Sequence, residues 1–231
     1  MKKKILITLL ACALLLLPGC EKQPEPVEFS TFAMDTMMSF TVYAKGDKET
    51  QRIQDRMTTM LRRLDSLLCV NNEFGDVTEI NRAEGQTVKV DWYTAQLLFR
   101  ALELCEVTGG ALDITAYPAV RAWGFTQEEH RVPSPAELEA LAAKIDYSAV
   151  ELEGETVTLP AGMEMDLGAV AKGYAGDMLA ERARENGISS ALLDLGQSTI
   201  AAVGSKPDGA SWRIGLVDPA QPGGYFAVVE L

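Results

Sequence analysis

The chain has 231 residues and a formal net charge of -12, from 21 Lys and Arg against 33 Asp and Glu. That balance leaves no basic stripe to neutralise phosphates, which excludes a nucleic-acid binder, and it excludes charge-driven adhesion to anionic lipid. The single histidine, His130, sits in a charged loop, so no His/Cys zinc centre can be assembled and a Ser-His-Asp triad is effectively excluded; any metal would be held by oxygen ligands, as magnesium or calcium are.

The start of the chain reads as an export signal. Lys2, Lys3 and Lys4 precede an uncharged apolar run from Ile5 to Leu17. That run is shorter than the roughly 20 residues a membrane-spanning helix needs. Leu17-Pro18-Gly19-Cys20 comes next and resembles the bacterial lipobox, in which the cysteine thiol takes a diacylglyceryl group and the preceding peptide is removed. The expected organisation is therefore a signal over 1–19, a lipidated Cys20 with a flexible tether to residue 30, and one domain over 31–231. Glu21 to Ser30, rich in proline and glutamate, has little to bury and reads as solvated.

Beyond the tether, Met37 to Ala44 alternates as a half-buried strand, with Met38, Phe40, Val42 and Ala44 on one face. Asp47 can cap a helix carrying Ile53, Met57, Met60, Leu61, Leu64, Leu67 and Leu68 at helical spacing. After it come a polar loop from Asn71 to Gly75, a short helix around Val77, Ile80 and Asn81, and a long helix from near Asp91 to Val107. Gly109-Gly110 ends that helix. Ser134-Pro135-Ala136-Glu137 is a capping box with proline at the first helical position, predicting a helix to about Lys144. Val150 to Leu159 reads as two short strands around Gly154, and residues 168–185 as a helix. Strands are expected at Ala191–Leu195, Ile200–Val203, Trp212–Val217 and Phe226–Leu231. Helices early and strands late predict an α+β fold. Cys69 and Cys105, each in an apolar helical pattern, are expected as buried free thiols.

Four segments can carry chemistry. In Met165-Asp166-Leu167-Gly168-Ala169-Val170-Ala171-Lys172-Gly173-Tyr174-Ala175, an acid at a strand end meets a glycine turn and a helix start bearing a lysine. Helix N-termini offer free N–H groups to anions, Lys172 adds a charge suited to phosphate, and Asp166 can accept from a sugar or base. Tight strand–helix packing with a surface lysine accounts for the same residues. Gly109-Gly110-Ala111-Leu112-Asp113-Ile114-Thr115, leading to Trp123-Gly124-Phe125, is a tight loop, and Asp113 can equally be a cap for the next segment. Ala33-Met34-Asp35-Thr36, and Asp194-Leu195-Gly196 with Trp212-Arg213-Ile214-Gly215-Leu216-Val217-Asp218-Pro219, are turn-bearing segments of modest content alone.

In type, order and spacing, these segments together resemble the ApbE family of FAD:protein FMN transferases, over Phe32 to Leu231. The resemblance implies a magnesium-dependent enzyme that cleaves FAD, passes FMN to a threonine of a target protein and releases AMP. The targets would be subunits of membrane redox complexes. Position by position, Met34, Asn71, Ala111, Leu112, Asp113, Asp166 and Lys172 would contact FAD, and the main-chain oxygen of Ala169 would bind magnesium. Some members carry an aromatic where this chain has Asn71, and Gln197 stands where a glycine is usual. Members run on for roughly another hundred residues, so the chain reads as an incomplete form of that fold, ending inside a strand. Flavin binding without catalysis, FAD hydrolysis to FMN and AMP, and a solute-binding lipoprotein are the alternatives.

Overall fold

The structure is a computed structural model that describes residues 24–125 and 130–231; the expected signal and Cys20 lie outside the described residues. The main sheet has strand order β1-β2-β6-β7. It comprises β1 (Glu25–Ala33), β2 (Thr36–Ala44), β6 (Ala191–Asp194) and β7 (Ile200–Val203), with every neighbour antiparallel. As the alternation predicts, Met38, Phe40, Val42 and Ala44 of β2 are all buried. They form the floor of the core beneath helices α1 (Asp47–Leu68) and α6 (Gly168–Glu185). The cap of α1 falls on Gly46 rather than on Asp47.

One expectation is corrected by β1. Residues 25–30, read as tether, are the first part of a strand that pairs along its whole length with β2, from Glu25 opposite Ala44 to Ala33 opposite Thr36. The proline and glutamates that suggested a tether are compatible with an edge strand, whose outer side needs no ladder partner. Val27 and Phe29 alternate inward, and the Phe29 ring lies 5.1 Å from that of Phe40.

Helices α2 (Asp76–Arg82), α3 (Trp92–Val107) and α5 (Pro135–Ala142) stand where the sequence places them. Asp91 caps α3 by accepting the Tyr93 N–H, and Ser134 caps α5 by accepting that of Glu137. A second sheet, in the order β3-β5-β4, joins β3 (Thr87–Lys89), β4 (Glu151–Glu153) and β5 (Thr156–Thr158). Helix α4 (Tyr117–Trp123) and β3 are too short for their periodicity to register in the sequence. Cys105 is buried and free, and burial pushes its thiol pKa up, as for an inert core cysteine; Cys69 is free and half-buried at the end of α1. Among the described residues no helix is long and apolar enough to cross a membrane.

Helix α6 approaches the sheet through small residues. Ala171, Ala175, Gly176 and Ala183 are buried, and a Cβ on Gly176 would lie 3.3 Å from Leu195. The hairpin of β8 (Arg213–Val217) and β9 (Tyr225–Glu230) is tied back by Trp212, whose indole N–H donates to the Gly204 carbonyl at 2.9 Å. Both faces of this hairpin carry exposed apolar residues, among them Leu216, Val217, Tyr225, Phe226 and Val228.

Two tight turns meet at one end of the main sheet. The β1–β2 turn places Met34 at φ 49° and Asp35 at φ 56°, both left-handed, as a two-residue hairpin of the primed type requires. The β6–β7 turn has Gly196 at φ 84°, and a Cβ there would stand 2.4 Å from Thr36 Oγ1. Gly196→Ala is therefore expected to cost about 3 kcal/mol of stability in urea unfolding. A cost below about 1 kcal/mol would show that Thr36 swings clear without strain.

Candidate functional site

The segment before α6 enters its helix through an acid-capped turn. Asp166 Oδ1 accepts the Gly168 N–H at 3.0 Å, while the Asp166 N–H donates to the Ile114 carbonyl at 2.9 Å. Gly168 is closely approached by its own cap: a Cβ there would lie 3.1 Å from Asp166 Oδ2, so the carboxylate would have to give by a few tenths of an ångström. The first amide of the helix is thus already satisfied by a carboxylate. This modifies the expectation of a helix start open to a bare phosphate: an anion arriving there meets Asp166 first, and Lys172 supplies the compensating charge.

Asp166, Gly168 and Lys172 line a cleft of about 450 Å³ together with Met34, Asp35, Asp65, Cys69, Asn71 and Phe125. The strained hairpin tip forms one wall. The Met34 N–H donates to Asp65 Oδ1 at 3.0 Å, which holds the left-handed turn from helix α1. Two non-glycine residues in this conformation are uncommon, and such strain collects at ligand sites. Asn71, exposed within the loop after α1, forms part of the rim. Phe125 is 66% exposed, stacked parallel on Trp123 with centroids 6.2 Å apart, and presents a flat apolar face beside the cleft. The Lys172 ammonium makes no hydrogen bond or ion pair with another described residue.

Burial raises the Asp166 carboxyl above its ordinary pKa, against the opposing pull of the Gly168 and Leu167 N–H groups.

The structure brings Met34, Asn71, Asp166 and Lys172 to one cleft; Ala111, Leu112 and Asp113 are not part of its lining. Asp113 has a structural task. Its Oδ1 accepts both the Thr115 N–H, at 2.8 Å, and the Thr115 hydroxyl, at 2.6 Å, and its Oδ2 accepts the Tyr147 N–H at 3.1 Å. Thr115 Oγ1 accepts the Asp146 N–H at 2.8 Å in turn. Asp113 thereby locks the loop whose Ile114 carbonyl holds Asp166, the capping role open to it from sequence. Asp65, Asp35, Cys69 and Phe125 join the site although no sequence signal marks them one by one as ligand contacts. Asp35 and Phe125 belong to segments that carry the family resemblance, but nothing in the pattern around Asp65, on a helix face, marks it as a partner for Met34.

Ala169 lies on the other side of the α6 start. It lines a broader groove of about 1120 Å³ between α3 and α6, with Gly173, Tyr174 and Met178. The Tyr174 hydroxyl there is buried without a partner, and burial with neighbouring Tyr93 and acidic groups pushes its pKa up to about 12, so it stays protonated at neutral pH. Among the described residues no three His, Cys, Asp or Glu side chains cluster as a metal cage. Ala169 is the second residue of helix α6 and is exposed, so its main-chain oxygen would supply one ligand at most to an ion that otherwise keeps its waters, as magnesium usually does.

A profile of the ApbE family matches residues 34–231. An FAD:protein FMN transferase of Vibrio cholerae serotype O1 (strain ATCC 39541 / Classical Ogawa 395 / O395) is 28% identical over 214 residues, covering 90% of this chain and 64% of the relative. One of Treponema pallidum (strain Nichols) is 29% identical over 243 residues, covering 96% and 67%. The chain therefore spans about two thirds of the length of these relatives. Among solved structures, the ApbE protein of Thermotoga maritima superposes with a TM-score of 0.82 at 27% identity, covering 90% of this chain and 68% of that one. The flavinyl transferase ApbE of Pseudomonas stutzeri, in its apo form, gives 0.81 at 25%, covering 91% and 68%.

The raised Asp166 pKa fixes a sign for its linkage to stability. A carboxyl whose folded pKa lies above its unfolded value contributes stability below the unfolded pKa, and this is lost as pH rises through the folded pKa. Relative to Asp166→Asn, the wild-type protein is expected to lose stability in urea titrations as pH climbs from about 4 upward. A difference that stays flat with pH would mean the carboxyl is not held away from water.

Proposed function

The chain belongs to the ApbE family, and on that premise we propose that it is an FAD:protein FMN transferase. The threonine hydroxyl of an acceptor protein attacks the FMN phosphorus of FAD. The new P–O bond forms as the pyrophosphate P–O bond breaks, AMP leaves, and the hydroxyl proton passes to the AMP phosphate or to water. The observation that carries this reading is the cleft itself, which gathers a strained Met34 turn, an exposed Phe125 ring, a half-buried acceptor and an uncommitted lysine around one helix start.

The roles follow from chemistry. Lys172 meets the pyrophosphate as a point charge. Asp166 accepts a hydroxyl or ring N–H of the flavin nucleotide, which its cap of Gly168 leaves it lone pairs to do. Met34 offers a polarisable thioether, and Phe125 a flat face, to the aromatic ring system. Magnesium would be held in part through Ala169 oxygen, and when bound it would offset the charge gathering on the phosphates. As an exported protein lipidated at Cys20, the chain would sit outside the cytoplasmic membrane, facing flavoprotein subunits of membrane redox complexes.

The direct test is incubation with FAD, magnesium and a threonine-bearing acceptor, followed by intact mass. The expected result is an acceptor heavier by one FMN with AMP released in equal amount. Free FMN and AMP without a modified acceptor would instead mark a pyrophosphatase, and retained FAD without AMP a binding protein. Lys172→Ala and Asp166→Ala are each expected to weaken FAD binding about tenfold with little loss of folding. Unchanged affinity in both would rule out this cleft as the flavin site.

A further inference from the structure

The residues that lead into Asp166, 159–167, are irregular backbone with no strand beside them. Buried main-chain groups in such a segment must find their partners elsewhere. Met165 is wholly buried and finds both in one side chain. Asn81 Nδ2 donates to the Met165 carbonyl at 2.9 Å, and the Met165 N–H donates to Asn81 Oδ1 at 2.7 Å. This two-bond ring is the pairing a neighbouring strand would supply, made instead by a carboxamide at the end of helix α2. The next amide, that of Asp166, donates to the Ile114 carbonyl at 2.9 Å. Three successive main-chain groups are thus fixed by two distant parts of the chain.

Resting on the flavin site proposed above, we propose that Asn81 is a positioning residue for nucleotide binding: by holding both main-chain groups of Met165 it sets the Asp166 carboxylate at the mouth of the cleft. Asn81 does not line the cleft, so its influence on a ligand passes through the segment it holds. The residue type is dictated by the ring. Aspartate lacks the donor for the Met165 carbonyl, alanine lacks both groups, and glutamine is one methylene too long. The support is itself rigid. At the opposite end of α2, Asp76 Oδ2 accepts the Asp91 N–H at 2.8 Å and the Thr94 hydroxyl at 2.5 Å, which pins the helix to the start of α3.

The test is a double-mutant cycle on the full chain: wild type, Asn81→Ala, Asp166→Ala and the pair. FAD affinity is read by quenching of flavin fluorescence, and amide hydrogen exchange over residues 163–169 is followed without ligand. Asn81→Ala is expected to weaken FAD binding about tenfold, to release the protection of the Met165 and Gly168 amides, and to add nothing in the Asp166→Ala background. A loss of equal size in both backgrounds, or unchanged protection over 163–169, would overturn the role. If the alanine variant does not fold, Asn81→Asp replaces it, since it keeps the volume and the acceptor for the Met165 N–H. It is expected to lose affinity in the same way, and wild-type affinity would overturn the role. Should the wild-type protein bind no FAD, the flavin reading fails instead, and the exchange protection alone then supports or overturns the hold of Asn81 on this segment.

Discussion

The two hydrogen bonds between the Asn81 carboxamide and the main chain of Met165 fix where helix α6 begins, and the cleft is arranged around that beginning. Without a strand alongside, residues 159–167 have no ladder to set their register. Asn81 from one side and Ile114 from the other supply it, and Ile114 is in turn held by the bonds of Asp113 to Thr115 and Tyr147. The chemistry-bearing side chains, Asp166 and Lys172, are then placed by helix geometry. They flank the first turns of α6, which brings both to the same cleft.

The opposite wall obeys a different constraint. Met34 and Asp35 occupy left-handed backbone that most side chains avoid, and the conformation persists because Asp65 grips the Met34 amide and Gly196 lets Thr36 close in. A glycine pair would relax this turn but would remove the thioether and the carboxylate that it presents. Gln197, at φ 62°, repeats the pattern in the next turn, where a glycine would sit without strain; its amide is secured by the Asp194 carboxylate at 2.6 Å. In both turns an acidic side chain secures the amide of a left-handed non-glycine residue, Asp65 for Met34 and Asp194 for Gln197.

Elements with a long period were legible in the sequence. The alternation of Met38 to Ala44, the heptad-like run from Ile53 to Leu68 and the glycine entry to α6 each dictate one conformation, and each is found. Segments whose structure rests on distant partners were not. The strand over residues 25–30 looks like a tether because its few apolar residues, Val27 and Phe29, become an inward face only once β2 lies alongside. Asp113 reads as a ligand contact by motif and as a cap by local chemistry, and only the Tyr147 amide, 34 positions away, decides where its second oxygen goes. Asp65 and the ring closed by Asn81 leave no local trace for the same reason: their partners are 31 and 84 positions removed.

Two hollows flank the start of α6, and the flavin is assigned to the one that holds Met34 rather than to the broader one that holds Met178. Methyl-labelled methionine NMR separates them, because an aromatic ring shifts nearby methyl resonances strongly through its ring current. On titration with FAD and magnesium, the Met34 methyl should move while that of Met178 stays in place. A moving Met178 with an unmoved Met34 would put the flavin in the α3–α6 groove and contradict the assignment of the site.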